Sequence, residues 1–590
     1  MASTIVPEDI GELELVPEGW SWRPGQHDLA ERIAQSKKKI VMLEAECGTG
    51  KSVIPSAVAR AEGYRAIILI QTIQLQQQYL RDLRGLKMMA GRRHSVCNLT
   101  EKSAEHAPCA IGVRCALKGK WRNGVPEGEP ECAYYKRKYE AYNAGISVQN
   151  YAYWMNETSG QASSFDKVDM IICDEAHELD QIMMAAGVIQ FSLYDCDELE
   201  IPRPSGEMTF PQLQQWCKDN YKTVVEFRDD VERQARLAGI PLGQVDEDPE
   251  GEETGSSSLS MEGYKNRAET IDAIVRAYKL CVRMIESMKQ LNALNEAELA
   301  DWVIKPPSAP RWILEAQPIY GKYGFRRILQ AATEKVVLMS AFLGPELLMK
   351  TLGLNPDEVE IIRAPKVFNR MKSRIFFCPV VKMSYKMSDN QKKCAVKAID
   401  LFANYFKGRK GIIHVPSVSL RNDIINYSKV RPRMLAYDGA DTAAVRRIFP
   451  DKEEVLEEYK LTDMDAILVG QSVSTGLDLP YVPTWQIITK VAFPPLGEPA
   501  VEKRKQVDKN FYTYLTICQI VQATGRVKRA ADHDGPTIIT DSQFGWFYAA
   551  NRQHFPPWFR DNFVRDGWSA FKDVKTELRR EAQRFGVIIA

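Results

Sequence analysis

The segment 45–52, with the sequence AECGTGKS, has the composition of a loop that binds phosphate groups. Glycines would let backbone N–H groups curl around phosphates, and the helix predicted over 53–62 would direct its positive N-terminal end at them. Lys51 would reach the β- and γ-phosphates of a nucleotide, and Ser52 would ligate Mg²⁺. The strand predicted over 39–45 favours this interpretation over a glycine-rich turn with a surface lysine. The residues expected to surround the phosphates are Gly48, Thr49, Gly50, Lys51 and Ser52.

A second group of residues capable of chemistry follows a predicted strand. Asp174 and Glu175 come directly after the apolar run 168–173. An acid at the carboxyl end of a parallel strand can hold Mg²⁺, and the next acid can orient the attacking water. Asp174 is therefore the predicted metal ligand, and Glu175 is predicted to polarise water. Alone, the pair could merely cap the next helix, but the phosphate-binding loop favours the catalytic interpretation.

Two arginines lie three residues apart in the segment 522–529, QATGRVKR. Arg526 and Arg529 would share one face of a helical turn. A guanidinium presented to a γ-phosphate stabilises the negative charge of the transition state, so both are candidate arginine fingers. In isolation, the segment would be interpreted as a solvated basic helix face.

The elements that must position these residues alternate between strand and helix. This order predicts an α/β fold with parallel, doubly wound sheets, and the alternation recurs in the last third of the chain as a second domain. The strands predicted from apolar runs are 39–45, 66–70, 168–173, 336–339, 411–415, 466–469, 485–488 and 537–539.

Two stretches break the alternation. Residues 92–137 are rich in Cys, Pro, Gly and Lys and show no helical or strand period, so we expect a small module without a hydrophobic core. Residues 179–310 are mainly helical, with a helix predicted over 270–294. They contain an acidic and then serine-rich surface loop at 244–263.

Composition limits the possible functions. With 590 residues, 45% hydrophobic and 26% charged, the chain is typical of a globular protein of roughly four domains. The net charge of +1 means that any nucleic-acid contact must come from a local basic groove. No apolar run reaches the ~20 residues that cross a bilayer, and the acidic N-terminus does not have the pattern of a signal peptide. We therefore expect a cytoplasmic protein.

Four of the twelve cysteines lie in the first irregular stretch. Twelve cysteines in so long a chain do not make a disulfide scaffold, and a cluster of cysteines in a reducing compartment favours metal binding. Four thiolates suit an iron–sulfur cluster, whereas a Cys₄ zinc site usually shows tight CxxC pairs, which are absent here. Four unrelated cysteines are the third interpretation. The candidate ligands are Cys97, Cys109, Cys115 and Cys132.

In their order along the chain, these motifs resemble the XPD/DinG family of superfamily 2 iron–sulfur helicases. The acidic motif has the form Asp-Glu-Ala-His at 174–177, and four further segments resemble the opening, linking, fourth and fifth motifs of the family. These are 22–26 (WRPGQ), 340–343 (SAFL), 414–417 (HVPS) and 474–480 (STGLDLP). Phe342 replaces the usual Thr of the linking motif, and Thr475 stands where XPD relatives often carry Glu.

The resemblance implies the architecture and the cofactors. Two RecA-like motor domains would bind ATP and Mg²⁺ between them, with Gln26 reading adenine and with Asp478 and Gln522 near the nucleotide. The four cysteines would ligate a [4Fe–4S] cluster. The predicted segments are 1–90, 138–180 and 311–365 for motor domain 1, 91–137 for the cluster insertion, 181–310 for a helical arch, and 366–590 for motor domain 2.

The implied activity is ATP-dependent DNA unwinding, with movement from 5′ to 3′ on single-stranded DNA and with tailed or forked duplexes as substrates. Alternatives are a translocase or R-loop remodeller without robust unwinding, an RNA helicase, and a non-catalytic scaffold. Cations interleaved with aromatic residues in the cysteine-rich stretch suggest that it grips a single strand. These residues are Arg92, Arg93, Lys118, Lys120, Arg122, Lys136, Arg137 and Lys138, with Trp121, Tyr134, Tyr135 and Tyr139.

Overall fold

A computed structural model describes most of the chain. The described residues are 5–46, 48–98, 101–107, 109, 116–122, 124–158, 163–238, 268–365, 373–384, 386–437, 448–449, 452–462, 465–470, 483–494, 497–527 and 535–590. Several residues and segments singled out above lie outside this part of the chain: Cys115, Thr475, Asp478, Arg529 and the loop 244–263.

Motor domain 1 is built on a parallel sheet to which seven of the described strands belong, in the order β12-β1-β11-β7-β2-β6-β3. Ile40–Glu44 and Ala66–Ile70 are almost wholly buried, as expected for strands covered by helices on both faces. The strands are β1 (Ile40–Glu44), β2 (Ala66–Ile70), β3 (Leu86–Met89), β6 (Ile146–Asn150), β7 (Val168–Asp174), β11 (Ala332–Ser340) and β12 (Val359–Arg363).

The register of this sheet brings the ends of three strands, which lead into the phosphate-binding loop, the acidic motif and the linking motif, to the same edge. Glu44, which precedes the phosphate-binding loop, pairs with Ser340, and Asp174 pairs with Met339. The carboxyl ends of β1, β7 and β11 therefore lie side by side. The helices of this domain are α1 (Gln26–Gln35), α2 (Val53–Ala61), α3 (Ile73–Asp82), α4 (Ala133–Asn143), α5 (Tyr151–Glu157), α6 (Leu179–Ala186), α11 (Lys322–Ala331) and α12 (Pro345–Leu352).

Motor domain 2 contains a second parallel sheet, with eight described strands in the order β16-β15-β17-β14-β18-β19-β13-β20. Its strands are β13 (Ile375–Val381), β14 (Gly411–His414), β15 (Met434–Tyr437), β16 (Ile448–Phe449), β17 (Ile467–Gly470), β18 (Trp485–Ile488), β19 (Thr537–Asp541) and β20 (Phe563–Val564). Its helices are α13 (Asp389–Tyr405), α14 (Val418–Tyr427), α15 (Lys452–Leu461), α16 (Pro499–Val507), α17 (Lys509–Thr524), α18 (Gln543–Asn551), α19 (Pro557–Asn562) and α20 (Lys572–Arg584). The predicted fold class, with two RecA-like α/β domains, is confirmed.

The helical region between β7 and β11 also contains strands, which the sequence analysis did not predict. Two long helices, α8 (Phe210–Leu237) and α9 (Ala268–Asn292), pack against each other. Beside them lies an antiparallel sheet in the order β8-β10-β9. The remaining elements are α7 (Leu193–Glu198), α10 (Glu296–Leu299), β8 (Ile189–Ser192), β9 (Trp302–Lys305) and β10 (Ile313–Pro318).

The cysteine-rich stretch does not lack a core, so this expectation was wrong. Trp121, Tyr134 and Tyr135 are buried in the same apolar cluster as Trp154 and Met89 of the motor domain. The motor core thus extends into the module, which also contains a short pair of strands, β4 (Trp121–Arg122) and β5 (Val125–Pro126). Among the described helices, none combines the length and the apolar character needed to cross a membrane.

Candidate nucleotide-binding cleft

The phosphate-binding loop lies between the buried strand β1 and helix α2. Gly48 and Gly50 have φ values of +84° and +75°, which an L side chain rarely adopts. Gly50 also leaves no room for a side chain, because a Cβ there would lie 2.5 Å from the Gln26 amide nitrogen. The predicted strand–loop–helix arrangement is present, with Lys51 and Ser52 immediately before α2.

Gln26 supports the loop directly. Its Nε2 donates hydrogen bonds to the Thr49 and Gly50 carbonyls, at 2.8 and 3.2 Å, and its Oε1 accepts from the Arg23 backbone at 2.9 Å. Arg23 in turn donates to the Gly48 carbonyl at 2.7 Å. Because Gln26 is buried, it fixes the shape of the phosphate loop in this structure; its contact with adenine stays a prediction.

Asp174 is held by two tyrosines that the sequence analysis missed. The Tyr79 hydroxyl of α3 donates to Asp174 Oδ2 at 2.8 Å, and the Tyr151 hydroxyl donates to the Asp174 carbonyl at 3.1 Å. Burial raises the pKa of Asp174, although the positive charge of Lys51 opposes this shift. A bound Mg²⁺ would supply further positive charge, and the carboxylate chemistry of Asp174 suits that ion.

Glu175 faces Lys51 from a strained position. Its φ of +49° is uncommon for a residue with a side chain and is typical of functional sites. Glu175 Oε1 lies 3.4 Å from Lys51 Nζ. Burial alone would raise the pKa of Glu175, but Lys51 and His177 hold it well below its usual value. The carboxylate is therefore ionised at neutral pH.

Behind Glu175, a polar network links the two motor domains. His177 Nδ1 lies 2.9 Å from Ser340 Oγ, and Ser340 donates to Glu175 Oε2 at 3.3 Å. Gln522, at the end of α17 in motor domain 2, donates to Glu175 Oε2 and to Ser340 Oγ, both at 3.3 Å. His177, Ser340 and Gln522 are all buried. The network gives motor domain 2 a direct contact with the acidic motif.

Residues of both motor domains line one cleft of about 310 Å³. Motor domain 1 contributes Gln26, Lys51, Ser52, Asp174 and Glu175, and motor domain 2 contributes Gln522, Gly525 and Arg526. The positive charge of Arg526 is among the causes that lower the pKa of Glu175, so the guanidinium acts on the carboxylate across the cleft. The structure thus brings together the described members of the predicted nucleotide site.

The three described cysteines of the candidate cluster site share one module. Cys97 and Cys132 are buried in its apolar cluster, and the half-buried Cys109 packs against it. Arg92 places a positive charge 3.2 Å from Cys109 Sγ, and Asn98 accepts a hydrogen bond from the residue after Cys132 at 2.9 Å. The donor chemistry fits an iron–sulfur cluster. However, no group of three or more metal-ligating side chains is assembled in the described part of the chain.

Most residues of the module that were predicted to grip a strand have internal contacts. Trp121, Tyr134 and Tyr135 are buried, so the prediction that they present faces to bases was wrong. Arg92 lies over the rings of both tyrosines, and Lys138 pairs with Glu157. The cations that remain exposed are Arg93, Lys120, Arg122 and Lys136, although Lys136 pairs with Glu129.

Two family models match the chain. A helicase C-terminal domain matches residues 405–562, and a model described as the res subunit of type III restriction enzymes matches residues 20–193. A probable ATP-dependent helicase of Methanocaldococcus jannaschii is 26% identical over 178 residues, or 26% of this chain and 27% of that protein. The chain thus aligns with about a quarter of the length of this curated relative.

Solved structures share the fold. An XPD helicase superimposes with a TM-score of 0.54 at 17% identity, over 90% of this chain and 98% of that one. Xpd4 of S. tokodaii gives a TM-score of 0.50 at 13% identity, over 92% and 100% of the two chains. These superpositions confirm the predicted resemblance to XPD helicases at the level of the fold. The two family matches and the similarity to an ATP-dependent helicase support the prediction of an ATP-hydrolysing enzyme of the helicase class.

Proposed function

We propose that this XPD/DinG-like chain is an ATP-dependent DNA helicase, which moves from 5′ to 3′ on single-stranded DNA and separates duplex strands. One observation carries the proposal: Lys51, Asp174 and Glu175 of motor domain 1 face Gln522 and Arg526 of motor domain 2 across a single cleft. A nucleotide bound there would touch both domains.

The side chains of the cleft have separate roles in ATP hydrolysis. Lys51 neutralises the β- and γ-phosphates, and Ser52 and Asp174 would hold Mg²⁺, which when bound screens the charge of the phosphates. Glu175, ionised and held by Lys51 and His177, orients the attacking water. Arg526 stabilises the charge that develops on the γ-phosphate. Arg529 is proposed as a second finger from its spacing in the sequence.

Hydrolysis would drive movement through the contact between the domains. While the γ-phosphate is present, Lys51 and Arg526 are attracted to it from opposite walls, so the cleft closes. After hydrolysis and release this shared contact is gone, and the cleft reopens. If the grip on the strand alternates between the domains, each cycle advances the strand. The 5′ to 3′ direction is proposed from the resemblance to the family.

A second cleft, of about 490 Å³, supports a path for the nucleic acid. It lies between the cysteine-rich module and motor domain 1 and is lined by Arg93, His94, Asn150, Tyr153 and Asn156, among others. Exposed Arg93 would contact the phosphates of the strand. This surface replaces the buried aromatic residues as the proposed strand contact of the module.

The module is also proposed to hold a [4Fe–4S] cluster. Cys97, Cys109, Cys115 and Cys132 would supply four thiolates, the usual ligand set of such a cluster. When bound, the cluster would join the parts of the chain to which these cysteines belong. The location of the three described thiols in one module, with Arg92 beside Cys109, supports this assignment.

The proposal is tested by ATP hydrolysis with and without single-stranded DNA. We expect DNA to stimulate turnover in the wild type, and we expect Lys51→Ala and Glu175→Gln each to reduce kcat at least about 100-fold, because each removes a group that acts on the transferred phosphoryl or on the water. Lys460→Ala and Glu577→Gln, both outside the cleft, are the matched controls. Normal turnover in the cleft variants would overturn the site, and stimulation by RNA alone would overturn the DNA substrate.

A further inference from the structure

Phe342, which stands where the family usually has Thr, reaches into motor domain 2. The residue follows β11 of motor domain 1, yet its side chain is 7% exposed and belongs to the apolar cluster built by α17 and its neighbours. Its ring centroid lies 5.9 Å from that of Tyr514. A threonine is too short to make this contact, so the packing is a consequence of the substitution.

Two further contacts fix Tyr514 against Leu343 and Gly344, which follow Phe342 in the chain. Its hydroxyl donates to the Leu343 carbonyl at 2.5 Å. Its ring lies directly on Gly344, where a Cβ would come within 2.5 Å of the ring. Gly344 has a φ of +56°, so a glycine suits both the close approach and the backbone conformation. Phe342 and Tyr514 therefore form a packed contact between the two domains, the Phe342–Tyr514 joint.

The segment that holds this joint also touches the nucleotide site. The Ser340 carbonyl accepts from Ala45, at the start of the phosphate loop, at 3.0 Å. Ser340 Oγ donates to Glu175, and the Leu343 N–H donates to Glu44 at 2.9 Å. Five consecutive residues, 340–344, thus join the end of β1, the acidic motif and motor domain 2.

Helix α17 connects the joint to the catalytic residues of motor domain 2. Tyr514, Cys518 and Gln522 recur at intervals of four residues, which places them along one face of the helix. Gln522 contacts Glu175, and Arg526 follows the end of the helix. A shift of the helix at Tyr514 would therefore displace Gln522 and Arg526 at the cleft.

We infer that the Phe342–Tyr514 joint is a positioning device for ATP hydrolysis, which sets the placement of Gln522 and Arg526 against Glu175 through α17. The inference rests on the proposed ATPase function. Neither residue of the joint lines the nucleotide cleft, so both act through α17 and not on the nucleotide. The expected signature is a loss of kcat without a matching loss of nucleotide affinity.

The first test is Tyr514→Phe, which removes one hydroxyl and keeps the ring. Loss of a buried hydrogen bond of ordinary strength corresponds to a fall in kcat of about threefold to tenfold. The dissociation constant of a non-hydrolysable ATP analogue should stay within about twofold of the wild type. Tyr548→Phe is the matched control, because Tyr548 is buried in the same cluster but contacts only residues of motor domain 2 among its ring neighbours.

The second test uses Phe342→Leu, which keeps an apolar side chain, and Phe342→Thr, which restores the family residue. We expect kcat to fall in the order wild type, Leu, Thr, with unchanged affinity for the analogue. In an Arg526→Ala background, Tyr514→Phe should cause a smaller further loss of kcat than in the wild type, because one of the two groups that it positions is gone. If Tyr514 mattered only for the stability of the fold, Tyr514→Phe would reduce kcat by the same factor in the wild-type and the Arg526→Ala backgrounds.

The outcomes separate this inference from the function it rests on. A wild-type protein without ATP turnover would overturn the proposed function. An active wild type whose kcat is unchanged by Tyr514→Phe and by Phe342→Leu would overturn the joint alone. Equal losses of kcat in the wild-type and Arg526→Ala backgrounds, or weakened binding of the analogue, would also overturn it.

Discussion

The carboxylate of Asp180 in motor domain 1 accepts a hydrogen bond from the guanidinium of Arg504 in motor domain 2, at 2.5 Å, and both side chains are buried. Arg504 lies over the Phe511 ring, 3.3 Å from its centroid, and 5.0 Å from that of Tyr320. The other oxygen of Asp180 accepts from the Gly321 N–H at 2.8 Å. The ion pair thus joins α6, the start of α11 and α16, and forms a further contact between the motor domains.

Breaking this pair should destabilise the protein strongly. Asp180→Asn keeps the acceptor for Gly321 but turns an NH₂ group towards Arg504 and leaves a buried positive charge without its partner. Loss of one partner of a buried pair costs about 3–5 kcal/mol. We expect a clear fall in the thermal unfolding midpoint, measured by circular dichroism. Glu226→Gln, in an exposed helical pair with Lys222, is the control and should change the midpoint little. Equal midpoints for the two variants would contradict the structural role of the Asp180–Arg504 pair.

Tyr79→Phe should weaken the use of Mg²⁺ in ATP hydrolysis. Its hydroxyl fixes Asp174 and helps to keep it ionised, and loss of such an outer contact typically costs about tenfold or more in metal affinity. We expect the Mg²⁺ concentration for half-maximal turnover to rise about tenfold. Tyr459→Phe is the matched control, because Tyr459 is also buried but bonds to the Gly411 carbonyl in motor domain 2. The same Mg²⁺ dependence in both variants would show that Tyr79 does not position the ligand.

The activity should fall at alkaline pH because of His177. Burial alone lowers its pKa, but hydrogen bonds to Glu175 and Glu178, and their charges, raise it from 6.5 to about 9. Since the pKa is higher in the folded state, the stabilisation by the imidazolium is complete below about pH 6.5 and is lost as the pH rises through about 9. We expect kcat to decline over that upper range as Glu175 loses a partner.

His177→Asn is the test of this pH dependence. This substitution should lower kcat at neutral pH and remove the decline in kcat between pH 8 and 10. The control His554→Asn, at an exposed histidine, should leave that decline unchanged. An unchanged alkaline decline in His177→Asn would assign the titration to another group.

Iron content tests the cysteine site. Anaerobically purified protein should contain iron and acid-labile sulfide, and Cys115→Ser and Cys132→Ser should lose both together with unwinding. Because Lys51 and Glu175 lie outside the module, some ATP hydrolysis should survive. Cys394→Ala, in the core of motor domain 2, is the control that should keep its iron. Zinc in place of iron, or an iron-free variant with full unwinding activity, would refute the cluster.

Local patterns in the sequence were sufficient to locate the phosphate loop and the acidic motif. Lys51 and Asp174 each follow a buried strand, and the ends of parallel strands meet at one edge of a sheet, so their proximity could be predicted. Tyr79 and Tyr514 could not be found in this way. Their contacts join residues 95 and 171 positions apart, and a tyrosine within a helix gives no sign of such a partner.

The cysteine-rich module shows why composition can mislead. Its aromatic residues lie among cations, a pattern that is typical of strand-binding surfaces as well as of a core edged by cations. Trp121 and Tyr135 are buried in the apolar cluster that the module shares with motor domain 1. Lys138 and Arg92 lie over their rings with the charged ends of their side chains. Only the three-dimensional packing distinguishes the two arrangements.

The most direct test of the proposed function is ATP-dependent unwinding by anaerobically purified protein, measured on DNA duplexes with either a 5′ or a 3′ single-stranded tail. We predict that the 5′-tailed duplex is unwound, that the 3′-tailed duplex is not, and that Glu175→Gln unwinds neither. Unwinding of the 3′-tailed duplex alone would contradict the proposed direction. DNA-stimulated ATP hydrolysis without separation of either duplex would contradict the helicase assignment and favour a translocase.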